Sequence, residues 1–292
     1  MTGMLAVTIM VATVLPRLPS APRDSTPPSK GQSRSALALL CTVPMALGSY
    51  NTAVQLAGDL NNQQVMLLQL GTYAVAGAGL TCYRLMKEGR VIHVGRRTWR
   101  AGIELGLWLF AGATLQALGL QRTTASRAGF LVSLSTAIVP LVESLVERRL
   151  PSLNVVAAAT CCTLGTALFM LPQSNSAVAR GVVPVTWQGD SLVVLSALFY
   201  SGHILRLSSH AWQHVPVELA TAKATTQMVA TSIVCVALAA RHSLCPLPLA
   251  ALPCMLYTGL VTCLYVQIAQ AYGQAKVCEA RTQMAVRPIC IT

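Results

Sequence analysis

The chain has 292 residues, 54% hydrophobic and only 10% charged, with a mean hydropathy of +0.58 and a formal charge of +12. Water-soluble domains carry about 25% charged residues, so this composition excludes a soluble globular protein. In a soluble chain the basic excess would point to nucleic acid; here the basic residues fall between apolar segments, where they set membrane orientation.

In chain order, a short apolar run from Met4 to Leu15 precedes a tract from Pro16 to Ser35 that is rich in Pro, Ser, Arg and Lys and holds one acid, Asp24. Two readings stand for residues 1–35: a targeting presequence, such as a plastid address, or a cytosolic tail without fixed structure. Eight apolar segments follow, each long enough for a spanning helix of roughly 20 residues. They lie near 36–57, 64–86, 101–120, 125–146, 153–171, 188–207, 218–240 and 250–272. A ninth begins near Cys278, and Thr292 falls inside it. A half-span leaves backbone groups in lipid unless neighbours cover them.

Loop charge gives the orientation. One side collects Arg17, Arg23, Lys30, Arg34, Arg84, Lys87, Arg90, Arg96, Arg97, Arg100, Arg148, Arg149, Arg206, Lys276 and Arg281. The other holds only Arg122, Arg127, Arg180 and Arg241. The N-terminus is therefore expected on the cytoplasmic side, or on the stromal side in a plastid.

A weak internal repeat is present. Ser49 and Ser201 are 152 positions apart, and Gly106 and Gly259, Leu107 and Leu260, and Gln121 and Gln274 are each 153 apart. Duplication of a five-span unit would invert the second copy, because five is odd. Inverted repeats place a binding site at their interface near the bilayer midplane.

Polar residues follow one helix face on five spans. Pro44, Gly48, Asn51 and Gln55 mark the first; Gly112, Gln116 and Gly119 the third; Ser126, Ser133, Thr136, Pro140 and Glu143 the fourth; Ser196, Tyr200 and His203 the sixth; Cys263, Gln267, Gln270 and Gln274 the eighth. The second, fifth and seventh show less of this, Gln69 and Lys223 being exceptions. Polar stripes in lipid either bond between helices or face an aqueous pathway. Five together favour the pathway, with Asn51, Gln116, Ser133, Tyr200, His203, Gln267 and Gln270 as its substrate-binding residues.

The ionisable residues divide differently. Glu104, four positions after Arg100, reads as an interfacial ion pair. Glu143 and Glu147 beside Arg148 and Arg149 read as a charged helix end. Arg206 and Lys223 are expected to snorkel to the interface. Glu143 and His203 are the candidates for a coupling proton. His210 and His214 form an i,i+4 pair, but no glutamate completes an HExxH zinc motif. Gly102 and Gly106 form a GxxxG, whose ordinary meaning is close helix packing. The ten cysteines contain no CxxC pair and read as small apolar residues. No phosphate-binding glycine loop or nucleophile elbow occurs, so no catalytic residue, metal or cofactor is assigned.

The run from Gly112 through Gln121-Arg122-Thr123-Thr124-Ala125-Ser126 to Pro140 resembles the third-to-fourth span signature of the EamA-like transporters of the drug/metabolite transporter superfamily. Gly189-Asp190 with Ala197-Leu198-Phe199-Tyr200 is similar to the start of that family's second repeat, and Tyr272-Gly273-Gln274 followed by Cys278-Glu279-Ala280-Arg281 and Pro288 to its eighth-to-ninth junction. The resemblance implies an all-α, polytopic membrane helix bundle of two inverted five-helix repeats, 36–172 and 188–292, here with the ninth helix incomplete and the tenth missing. It implies alternating access to a cavity lined by the first, third, fourth, sixth, eighth and ninth spans. The expectation is a secondary transporter or exporter of a small organic metabolite in a plastid envelope or plasma membrane. Its partners would be the lipid bilayer and a small solute, not nucleic acid, and a homodimer is compatible. Two rivals are a truncated, non-transporting membrane paralogue acting in assembly or regulation, and an intramembrane enzyme using His210 and His214.

Overall fold

The computed structural model describes residues 30–58, 60–88, 94–146, 153–170, 186–210, 214–240, 246–270 and 272–273. These residues form helices and no strands. In chain order the helices are α1 (Lys30–Leu56), α2 (Asn62–Glu88), α3 (Arg96–Leu120), α4 (Ala125–Val146), α5 (Leu153–Met170), α6 (Trp187–His210), α7 (Pro216–Ala239) and α8 (Ala251–Gln270). They coincide with the eight apolar segments. Five of them, α2, α3, α4, α7 and α8, are long and apolar enough to cross a membrane. α6 carries more polar residues, among them Gln188, Asp190, His203 and Arg206. The ninth segment lies outside the described residues.

Apolar side chains point outward as well as inward, as a bilayer requires. Val229, Ile233 and Val236 form an exposed stripe on α7, and Leu252, Leu256 and Leu260 form one on α8. Both follow the helical period. In water such stripes would mark an interaction surface; on this chain they fit lipid tails.

α3 is the central helix, packed along α6 and α7, while α4 also lies on α6 and α2 lies between α7 and α8. Glycines permit these close approaches. A Cβ at Gly102 would fall 2.2 Å from the Cβ of Ala222, and one at Gly106 would fall 2.7 Å from the Cβ of Thr226. The GxxxG pair of α3 is therefore the seam against α7. On α8, a Cβ at Gly259 would fall 2.7 Å from the Cβ of Val75 on α2. The two seams correspond. Gly259 stands 153 positions after Gly106, and Thr226 stands 151 after Val75. The backbone oxygens they approach, Lys223 and Thr72, are also 151 apart.

Two helices carry a local irregularity. Pro140 lies inside α4, where it lacks the N–H for a backbone bond, and the Ser144 hydroxyl donates to the Pro140 carbonyl at 2.7 Å. Within α8, Thr258–Tyr265 winds as a π-helix, a form that in short stretches is frequent at functional sites. It lies where α8 meets α2, with the Thr72 and Thr258 hydroxyls 2.9 Å apart.

Candidate functional site in the bundle centre

The amide side chains of the stripes meet inside the bundle. Gln116 of α3 donates from Nε2 to Oδ1 of Asn51 on α1 at 2.7 Å, and its Oε1 accepts from the Tyr200 hydroxyl of α6 at 2.7 Å. Gly112, one turn earlier on α3, makes room for this: a Cβ there would lie 3.0 Å from the Tyr200 ring. On the facing side, Gln267 of α8 donates to Oε1 of Gln227 on α7 at 2.9 Å. Tyr50 lies beside Gln69, and Tyr73 beside Gln227. The Thr114 hydroxyl reaches Oε1 of Gln69 at 3.4 Å.

These pairs belong to one cluster. Tyr50, Tyr73, Tyr200 and Cys263 lie near one another. Lys223 lies near Cys263 and His203. Six helices, α1, α2, α3, α6, α7 and α8, thus contribute polar side chains to a single region surrounded by apolar residues.

Most of the sequence-predicted residues gather here: Asn51, Gln116, Tyr200, His203 and Gln267. Gln270 is half-buried near the end of α8. Ser133 does not join them. Its hydroxyl donates to the Phe130 carbonyl of its own helix at 2.6 Å, and its carbonyl faces the Cys162 thiol of α5. Glu143 is exposed, and the Thr136 side chain lies outside the described residues.

Several other expectations are corrected. Lys223 does not snorkel: it is 0% exposed. Its position on α7, which packs along α3 and α2, holds it inside. Glu104 pairs with Arg206 and His210 of α6, at 2.7 and 3.3 Å, because α6 crosses α3 at that level. His210, the last residue of α6, pairs with Glu104, and His214 with the Thr98 hydroxyl at 3.1 Å, while the two rings lie 6.2 Å apart. Among the described residues no group of three or more His, Cys, Asp or Glu could hold a metal ion. Finally, α2 and α7 contribute Gln69, Tyr73, Lys223 and Gln227, although the resemblance gave the second and seventh spans no lining role. Gln69/Tyr73 and Lys223/Gln227 are i,i+4 pairs, a signal that could have found them.

The two ends of the bundle carry ion pairs of different character. At the less basic end, Arg127 of α4 meets Asp190 of α6 at 2.6 Å, with side chains 21% and 19% exposed. The Thr123 hydroxyl donates to the same carboxylate at 2.7 Å. At the basic end, Arg206 and Glu104 are more exposed, at 58% and 34%.

No family model matches the chain. It is similar to an uncharacterized transporter of Archaeoglobus fulgidus, 27% identical over 122 residues. The match covers 42% of this chain and 36% of that relative, about a third of the relative's length. The chain is a multi-pass integral membrane protein. Its apolar helices and the character of this relative agree on that point.

Proposed function

We propose that the protein is a secondary transporter of small polar organic solutes, of the EamA-like kind its motifs resemble, working by alternating access. The observation that carries this is the polar cluster of six helices in the bundle centre. Burying so many amides, phenols and an amine in a lipid-embedded core is expensive, and such groups mark solute pathways. The cluster offers many hydrogen-bond partners to a solute, so binding without a covalent step fits it.

Two further features support the reading. The paired glycine seams, α3 on α7 and α8 on α2, fit two structural repeats related by a pseudo-two-fold axis between α2 and α7. The ion pairs join α6 to α4 at one end and to α3 at the other. Opening either end by moving α6 would break one set and keep the other, which suits alternation between two states.

The test is solute flux in vesicles reconstituted with the full chain, against a panel of amino acids, organic acids and other polar metabolites. Saturable uptake that falls in Gln116→Ala supports the proposal. A folded, reconstituted protein that moves none of the panel contradicts it and favours the non-transporting reading.

A further inference from the structure

We propose that Lys223 holds the charged end of the transported solute, and that this solute is a small organic monoanion, a carboxylate that also carries a neutral N–H or O–H donor. The inference rests on the transport reading above and names its substrate class. Lys223 is the eighth residue of α7, about 10 Å along the helix from its start. It is 0% exposed, and its Nζ has no hydrogen-bond partner among the described residues. The acids that carry ion pairs there are engaged elsewhere, Glu104 with Arg206 and His210, and Asp190 with Arg127. A buried cation without a counter-charge is strongly unfavourable. A bound anion supplies what the site lacks.

Two neighbours define the rest of the ligand. His203, 1% exposed and close to Lys223, has a ring Nε2 without a partner among the described residues. Gln267, 4% exposed, is oriented by its bond to Gln227, and its Oε1 has no partner among the described residues. Lys223 and Gln227 are one turn apart on α7, as Cys263 and Gln267 are on α8, Gln227 and Gln267 are bonded to each other, and Lys223 lies near Cys263. The amine, the imidazole and the carbonyl therefore border one region. The amine suits a carboxylate, and the open carbonyl suits a donor on the same molecule. Charge counting separates a carboxylate from a doubly charged anion such as sulfate. One positive centre balances a monoanion, whereas a dianion would leave a net charge buried. Tyr50, Tyr73 and Tyr200 offer aromatic faces for the carbon skeleton.

The experiment is thermal unfolding of the purified full chain titrated with L-lactate, 3-hydroxybutyrate and N-acetylglycine, with their uncharged amides, and with inorganic sulfate, each compared with an equal ionic strength of chloride. The expected result is saturable stabilisation by at least one acid, and none by its amide or by sulfate. In Lys223→Met the affinity for that acid should fall about thirtyfold or more, while Lys223→Arg retains part of it. Lys223→Met without ligand should melt no lower than the native protein, since it loses a buried polar group that has no partner among the described residues, so a binding loss is not a folding loss. Stabilisation by the amides equal to that by the acids, equal binding to Lys223→Met, or no acid effect would overturn the proposal. Vesicle uptake of the same compounds separates the two readings. Acids that bind through Lys223 but never cross leave the anion site standing and sink transport. Neutral solutes carried equally by native protein and Lys223→Met leave transport standing and sink the anion site.

Discussion

Gly106 of α3 rests directly on the backbone of Lys223 in α7: a Cβ at Gly106 would lie 3.1 Å from that carbonyl oxygen. It would also lie 2.7 Å from the Cβ of Thr226, which cannot swing away. The seam that sets the helix spacing is thus the seam that positions the buried amine.

Gly106→Ala should therefore destabilise the protein by about 1–3 kcal/mol, the usual range for overpacking. Gly48→Ala is the control, because nothing lies within 4 Å of a Cβ there. Thermal unfolding in detergent would compare them, and equal melting temperatures would show that the α3–α7 contact is looser than described.

Gln116 is the shared member of a three-residue chain, so its loss strands two buried partners. Gln116→Ala should cost more than either Asn51→Ala or Tyr200→Phe, by about 1–2 kcal/mol. Each unpaired buried polar group carries a penalty of about 1–3 kcal/mol, moderated in membrane bundles, where measured bonds average about 0.6. A double-mutant cycle on Asn51 and Tyr200 should be non-additive if Gln116 couples them. Strict additivity would mean that the two bonds act separately.

The ion pairs at the two ends should respond unequally. Asp190→Asn weakens a short, largely buried pair that also accepts from Thr123, and is expected to cost about 1–3 kcal/mol. Glu104→Gln disturbs a pair whose arginine is more than half exposed, where the usual worth is about 0–1 kcal/mol. Unfolding of the two variants side by side checks the order. A larger loss for Glu104→Gln would reverse this account.

What could be read in advance followed from how far a side chain can be satisfied on its own helix. All eight helices were visible, because lipid demands long apolar stretches whatever the tertiary arrangement. Asn51, Gln116, Tyr200 and Gln267 could be read as central because amides and phenols must reach across to a neighbour. Hydroxyls need not. Ser133, Ser196 and Ser201 each bond to a carbonyl three or four residues back, so a serine stripe carries little information about where a helix faces. Lys223 was misplaced for a related reason. Its long stem permits snorkelling, and only the packing of α3 and α2 along α7 decides that it stays inside.

Transport requires that water and solute reach the polar cluster, and Cys263 offers a native probe of this. Cys263 is half-buried and neighbours Tyr50, Tyr73, Tyr200 and Lys223. In a variant whose other cysteines are replaced by alanine or serine, a membrane-impermeant thiol reagent should modify Cys263 in sealed vesicles. The same reagent should spare a cysteine placed at Val229 on the outward stripe of α7, with Cys263 also replaced. Modification of Cys263 with protection by a transported solute is the predicted result. A Cys263 that never reacts in the folded, reconstituted protein would contradict the claim.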